Sequence, residues 1–132
     1  MFEKFKYSSE QIRKYYQAAV RDLRLAVSAS APELVFYACY NVIIKTAIAV
    51  CAKNNLRVKS RLGHHIELIE KMADYLGDQE IEDISNKMRT KRNRDLYDGG
   101  IATSEKEAIF YLSFCKKLVK IADSYLFPDR LL

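Results

Sequence analysis

The chain has 132 residues, which suits one hydrophobic core rather than two domains. Hydrophobic residues make up 49% of it, with four glycines, two prolines and no tryptophan, so a turn-rich or low-complexity chain is excluded and one helical domain over residues 1–132 is expected. The 22 Lys and Arg against 17 Asp and Glu give a net charge of +5, compatible with a polyanionic partner without requiring one.

The opening residues set Phe2 and Phe5 among Glu3, Lys4 and Lys6 and lack the continuous apolar stretch of a signal peptide, so a cytoplasmic protein is expected. A first helix is predicted from Ser8 or Ser9, where Ser8 and Gln11 have capping-box spacing. Its apolar positions Ile12, Tyr15, Tyr16, Ala19, Leu23, Ala26 and Val27 recur every three or four residues, and Arg13, Lys14, Gln17, Arg21 and Arg24 form a solvated face. A second helix is predicted to follow Ser30, with Pro32 in its first turn and Ser30 paired to Glu33 by the same spacing, and to run to about Lys53. It is apolar nearly all round. Residues 34–52 have the length of a membrane span, but Asn41, Lys45 and Thr46 fall near the middle, where a lysine costs roughly 2.5–3.5 kcal/mol on insertion scales. A central bundle helix outside any membrane is therefore expected. Tyr37, Asn41 and Lys45, spaced four apart, form a polar line on it, either a satisfied internal network or part of a site.

Asn54 and Asn55 end that helix, and residues 56–62 form a short connector carrying Arg57, Lys59 and Arg61. The third helix follows Gly63, and its stripe of Leu62, His65, Ile66, Ile69, Met72, Ala73 and Leu76 puts His65 on the core side as a hydrogen-bonded packing histidine. His64 points about a third of a turn away. No His-x-x-x-His or Cys-x-x-Cys spacing supports a metal site, and nothing calls for a cofactor. Gly77 closes the third helix and Asp78 opens the fourth, whose stripe Ile81, Ile84 and Met88 continues at the same helical angle into Arg92. That points a guanidinium toward the bundle or a partner subunit, an expensive placement unless the group is paired or used. Lys87, Lys91, Arg94 and Asp98 line the outward side, with Asn93 and Tyr97 between. Gly99 and Gly100 end this helix, and Ser104 with Glu107 caps the fifth, whose stripe Ala108, Tyr111, Leu112, Cys115, Leu118, Val119, Ala122, Tyr125 and Leu126 holds to Pro128. Cys39, Cys51 and Cys115 sit within apolar helical stretches as small buried thiols, consistent with a reducing compartment. With no strand pattern, Gly-rich phosphate loop or Ser-His-Asp order, the expected fold is an all-α antiparallel bundle of about five helices with the second in the middle.

The segment Met88-Arg89-Thr90-Lys91-Arg92-Asn93-Arg94-Asp95-Leu96-Tyr97-Asp98-Gly99-Gly100 resembles the signature of the HEPN superfamily, small helical bundles of prokaryotic toxin-antitoxin and defence systems. The resemblance covers nearly the whole chain: long first helix, apolar second, Gly-His start to the third, Arg and a polar residue late in the fourth, and a closing fifth. It implies a homodimer that brings two motifs together and an RNA-directed protein, a toxin or defence ribonuclease of the metal-independent kind. Arg92 would grip phosphate and Asn93 orient it, while Tyr97 stands where the shortest form of the motif has histidine, and no histidine follows. Arg89, Lys91, Arg94, Lys45 and Asn41 would supply further nucleic-acid or nucleotide contacts. Tyrosine, with a free pKa of about 10, is a poor base, and residues five apart on a helix diverge by about 140 degrees, so Arg92 and Tyr97 would converge only across a dimer or through fraying at Gly99-Gly100. The superfamily's non-catalytic branch implies the alternative, a binding module that partners a nucleotidyltransferase or holds a nucleotide in the dimer cleft. An antitoxin is a further implied partner.

Overall fold

The computed structural model describes residues 2–59, 64–99 and 102–131, with the backbone alone for residues 97, 98, 130 and 131. Among these the order is β1 (Phe2–Lys4), α1 (Ser9–Ser28), α2 (Pro32–Lys53), β2 (Leu56–Val58), α3 (His65–Leu76), α4 (Gln79–Asp98), α5 (Glu105–Leu126) and a 3-10 turn (Pro128–Leu131). The expectations placed on Arg61, Leu62, Gly63 and Gly100 lie outside the described residues.

Local chemistry sets the helix ends. Ser8 Oγ accepts the Gln11 N–H at 3.1 Å while Gln11 Oε1 accepts the Ser8 N–H at 2.8 Å, closing the predicted capping box of α1. Ser104 and Glu107 repeat it at α5, both bonds being 3.0 Å. The box predicted at Ser30 and Glu33 does not form: the N-cap of α2 is Ala31, with no side-chain cap. Pro32 opens that helix and has no N–H to satisfy, so one of the donors a cap would serve is already gone. Between α3 and α4 the chain turns through Gly77 at φ 69°, and Asp78 caps α4 by accepting the Glu80 N–H at 3.0 Å.

α2 is the centre of the antiparallel bundle. It packs on α1, α5, α3 and α4, most extensively on α1, so its apolar circumference is largely enclosed even though its length would suit a membrane span. Ala47, Ala49 and Ala52 on α2, Ala19 and Ala26 on α1 and Ala122 on α5 are all buried, and such small side chains let helix backbones approach closely. Cys39, Cys51 and Cys115 are buried free thiols, and Cys115 Sγ lies 3.4 Å from the Cys39 carbonyl oxygen. At the far end of α2, Asn54 bonds the Tyr125 hydroxyl of α5 at 2.9 Å.

Four expectations change. Residues 56–58 are not irregular: they pair antiparallel with β1, Phe2 opposite Val58 and Lys4 opposite Leu56, with Glu3 and Arg57 ion-paired and Arg57 over the Phe5 ring. Three-residue strands are too short to show an alternation, and their partners lie more than fifty positions apart. In α3 the series His65, Leu68, Ile69, Met72 and Ala73 faces inward, which leaves Ile66 exposed. In α1, Tyr15 and Val27 are exposed, and the buried position between Ala19 and Ala26 is Asp22. Finally, Tyr37, Asn41 and Lys45 make no internal network: Tyr37 and Asn41 are exposed, and Lys45 Nζ reaches across to Asp22 Oδ2 at 2.6 Å.

That pair joins α1 to α2, with the Asp22 side chain 7% and the Lys45 side chain 33% exposed. Removing the ammonium leaves the buried carboxylate with the exposed Arg21 side chain, 3.8 Å away, as its remaining cation. Lys45→Met should cost about 2–3 kcal/mol in equilibrium unfolding, somewhat under the value for a wholly buried pair because Lys45 is partly hydrated. Combining it with Asp22→Asn should recover most of that loss, whereas a loss below about 0.5 kcal/mol would show that the pair does not couple the two helices.

Candidate functional site

The buried line of α4 runs through Ile81, Ser85 and Met88, and the next residue at that angle is Arg92. Its guanidinium carbon sits 5.6 Å from the centre of the Tyr40 ring on α2, a cation over an aromatic face, and Nη1 lies 3.5 Å from Asn93 Oδ1, at the outer limit of a hydrogen bond. Arg89, one turn earlier and half-buried, donates to Asn86 Oδ1 at 3.2 Å. Among the described residues neither guanidinium enters an ion pair, and Asp83, one acceptor that could have absorbed Arg92, is exposed and bonded to Gln79.

Tyr40 has a second neighbour. His65, at the first turn of α3, places Nδ1 2.8 Å from the Tyr40 hydroxyl, with the two rings 5.6 Å apart. Burial, reinforced by the positive charge of Arg92 and Arg89, holds the His65 pKa below its usual 6.5. Burial also pushes the Tyr40 phenol up to about 12 against the pull of the same two arginines. At neutral pH the cluster therefore consists of two fixed cations, a neutral imidazole and a neutral phenol, drawn from three helices. Of the cluster, His65 also lines a groove of about 630 Å³, with Tyr7, Tyr15, Ile44, Ile48 and Arg57 among its walls.

The structure divides the residues predicted for the site. Arg92, Asn93 and Arg89 stay together beside Tyr40. Lys45 is committed to Asp22, and Asn41 is an exposed neighbour of Tyr40 on α2. Lys91, expected on a solvated face, has a side chain only 11% exposed: Nζ lies 3.2 Å from the Ala102 carbonyl, 3.8 Å from a Glu107 carboxyl oxygen and 5.5 Å from the Phe36 ring, so it ties α4 to the start of α5. Its long apolar stem can be covered while its head is paired, which periodicity alone does not reveal. Arg94 is exposed, on a separate mixed-charge surface with Asp83, Lys87 and Glu107. The backbone of α4 stays helical to Asp98 and ends at Gly99 with φ 86°, so no fraying precedes that glycine; the Tyr97 side chain lies outside the described residues. Tyr40 and His65 are the members that a linear motif misses. The signal available for His65 was its place on the core side of its helix beside a polar-lined α2.

Compared with protein-family models, with curated proteins and with solved structures, the chain has no match. Among the described residues no three of His, Cys, Asp and Glu converge as metal ligands.

The depressed pKa of His65 has a defined effect on stability. Unfolding restores its ordinary value of 6.5, so on acidification the unfolded chain takes up this proton first. The contribution is present in full above about pH 6.5 and is lost as pH falls toward the folded-state value. Tm should decline between about pH 7 and pH 5, and His65→Gln should make that decline shallower; equal slopes in the two proteins would assign it to other groups.

Proposed function

We propose that this chain is a HEPN-type RNA-directed protein, a cytoplasmic toxin or defence ribonuclease with an atypical site centred on Arg92. The observation that carries the reading is the position of that guanidinium: half-buried, laid over Tyr40, beside Arg89, and not neutralised by an ion pair among the described residues. A cation kept partly dry and unpaired is expensive for a purely structural role, and the two non-bridging oxygens of a phosphodiester match the paired N–H donors of a guanidinium. The resemblance in residues 88–100 supplies the substrate class. A homodimer suits the same face, since Tyr37 on α2 and Leu96 on α4, each one turn from a cluster residue, are exposed apolar side chains.

The second reading is a non-catalytic module that partners a nucleotidyltransferase or holds a nucleotide. It is favoured by one observation, that Tyr97 stands where the motif histidine would be and no histidine follows. Expression of wild type beside Arg92→Ala separates the two. The first reading expects growth arrest and fragmented total RNA with wild type and neither with Arg92→Ala. Intact RNA in both, with an Arg92-dependent affinity for nucleotide, supports the second, and identical outcomes in every assay remove Arg92 from any function.

A further inference from the structure

We propose that His65 is the proton acceptor of this site, supplying from the start of α3 the chemical group that the motif histidine would supply from α4. The inference rests on the RNA-directed reading and names its missing chemical group. Three facts of geometry point to it. His65 is joined through Tyr40 to the arginine pair, since the Tyr40 hydroxyl lies 2.8 Å from His65 Nδ1 while the same ring lies 5.6 Å from the Arg92 guanidinium carbon. The described contacts of the imidazole engage Nδ1, and the ring lines the groove, so a ligand has a path to it. The partner at Nδ1 is a phenol and not a carboxylate, so nothing there draws a proton onto the ring at neutral pH.

Its surroundings favour the unprotonated form. Arg89 and Arg92 face it from α4, and Arg57 and Lys59 stand at the groove beside β2. Of the carboxylates nearby, Glu3 on β1 is paired with Arg57, while Glu67 on the same helix, 3.8 Å from His64 Nδ1, has a buried Oε2 with no hydrogen-bond partner among the described residues. Tyr7 and Cys51, also at the groove, add no negative charge at neutral pH, since burial raises both the Tyr7 phenol and the Cys51 thiol.

The step balances without a redox partner. The step runs in the tautomer whose Nδ1–H donates to the Tyr40 oxygen, since the phenol can either donate or accept at this contact, and in that tautomer the lone pair of the imidazole is on Nε2. A ribose 2′-hydroxyl gives its proton to Nε2 as its oxygen bonds to the adjacent phosphorus, and the bond from phosphorus to the 5′-oxygen breaks. The leaving oxygen takes a proton from water and the imidazolium returns its own to solvent, leaving a 2′,3′-cyclic phosphate and a 5′-hydroxyl. Arg92 and Arg89 hold the non-bridging oxygens, whose charge grows in the transition state. Tyr40 is a positioning residue: its hydroxyl, 2.8 Å from Nδ1, holds the ring in place.

The test uses the purified full chain and a labelled single-stranded RNA of mixed sequence, read for cleavage rate from pH 5 to 8, end chemistry, RNA affinity and helix content. Wild type should leave cyclic-phosphate ends, at a rate that rises with pH and levels once His65 is neutral. His65→Gln should lose roughly 10²- to 10⁴-fold in rate and the acid limb of the profile, with RNA affinity and helix content kept. Tyr40→Phe should lose less, and Arg92→Ala should lose affinity as well as rate. Because the chain has two histidines, an NMR titration of wild type gives the His65 pKa directly, and it should coincide with the kinetic limb even if a variant fails to fold. His65→Gln cleaving with the wild-type rate and pH profile, or a kinetic limb that departs from the His65 titration, overturns the role of His65 and leaves the Arg92 reading standing. A wild type that binds RNA through Arg92 but cuts none overturns the proton-transfer step alone, and one that neither binds nor cuts RNA overturns both.

Discussion

Helix α2 imposes the constraint from which the rest of the structure follows. Twelve of its residues are buried, on nearly every side, so the chain must wrap a helix around each of its flanks or leave apolar surface in water. Burying a side chain the size of Ile43 or Phe36 is worth about 1.5–3 kcal/mol, and no single cap or surface ion pair in the molecule approaches the sum of several such residues. The antiparallel path of α1 and α5 and the α3–α4 hairpin are ways of meeting that demand with short connections. The alanines on α1, α2 and α5 set how closely the cover can fit.

Two clusters of ionisable groups at this core obey different energetics. Asp22 is compensated within the fold, by Lys45 at 2.6 Å and by Arg21 at 3.8 Å, and its contact with Lys45 joins two helices already packed together. Around Tyr40 the charges are of one sign. Arg92 and Arg89 face a phenol and an imidazole that are both kept neutral, so the assembly is left with cationic character and no internal anion among the described residues. The first arrangement is complete in itself. The second leaves positive charge uncompensated by an ion pair among the described residues, held in position by the same line on α4 that buries Ile81 and Met88.

The motif in α4 and the site around it are therefore different objects. Arg92 was legible because a charged residue continues an aliphatic stripe at its exact helical angle, a local pattern. Asn93 and Arg89 are neighbours within one turn and came with it. Tyr40 and His65 were not legible as site members, since they lie 52 and 27 positions before Arg92 and meet it only when α2, α3 and α4 pack. Lys91 and Lys45 misled for the opposite reason: a lysine stem is long enough to leave the face its Cα occupies and spend its charge on a neighbouring element.

What the sequence by itself determined is the set of five helices, the capping boxes of α1 and α5 though not the one expected at Ser30 and Glu33, the central place of α2 and the inward aim of Arg92, because these depend on spacing within a few residues and on hydrophobicity. What only the tertiary structure decided is the pairing of β1 with β2, the partner of Lys45, the burial of Asp22, and the joining of Arg92 to His65 through Tyr40. Each of those requires residues far apart in the chain to arrive at one point, and that is fixed by how helices pack, which no local period encodes.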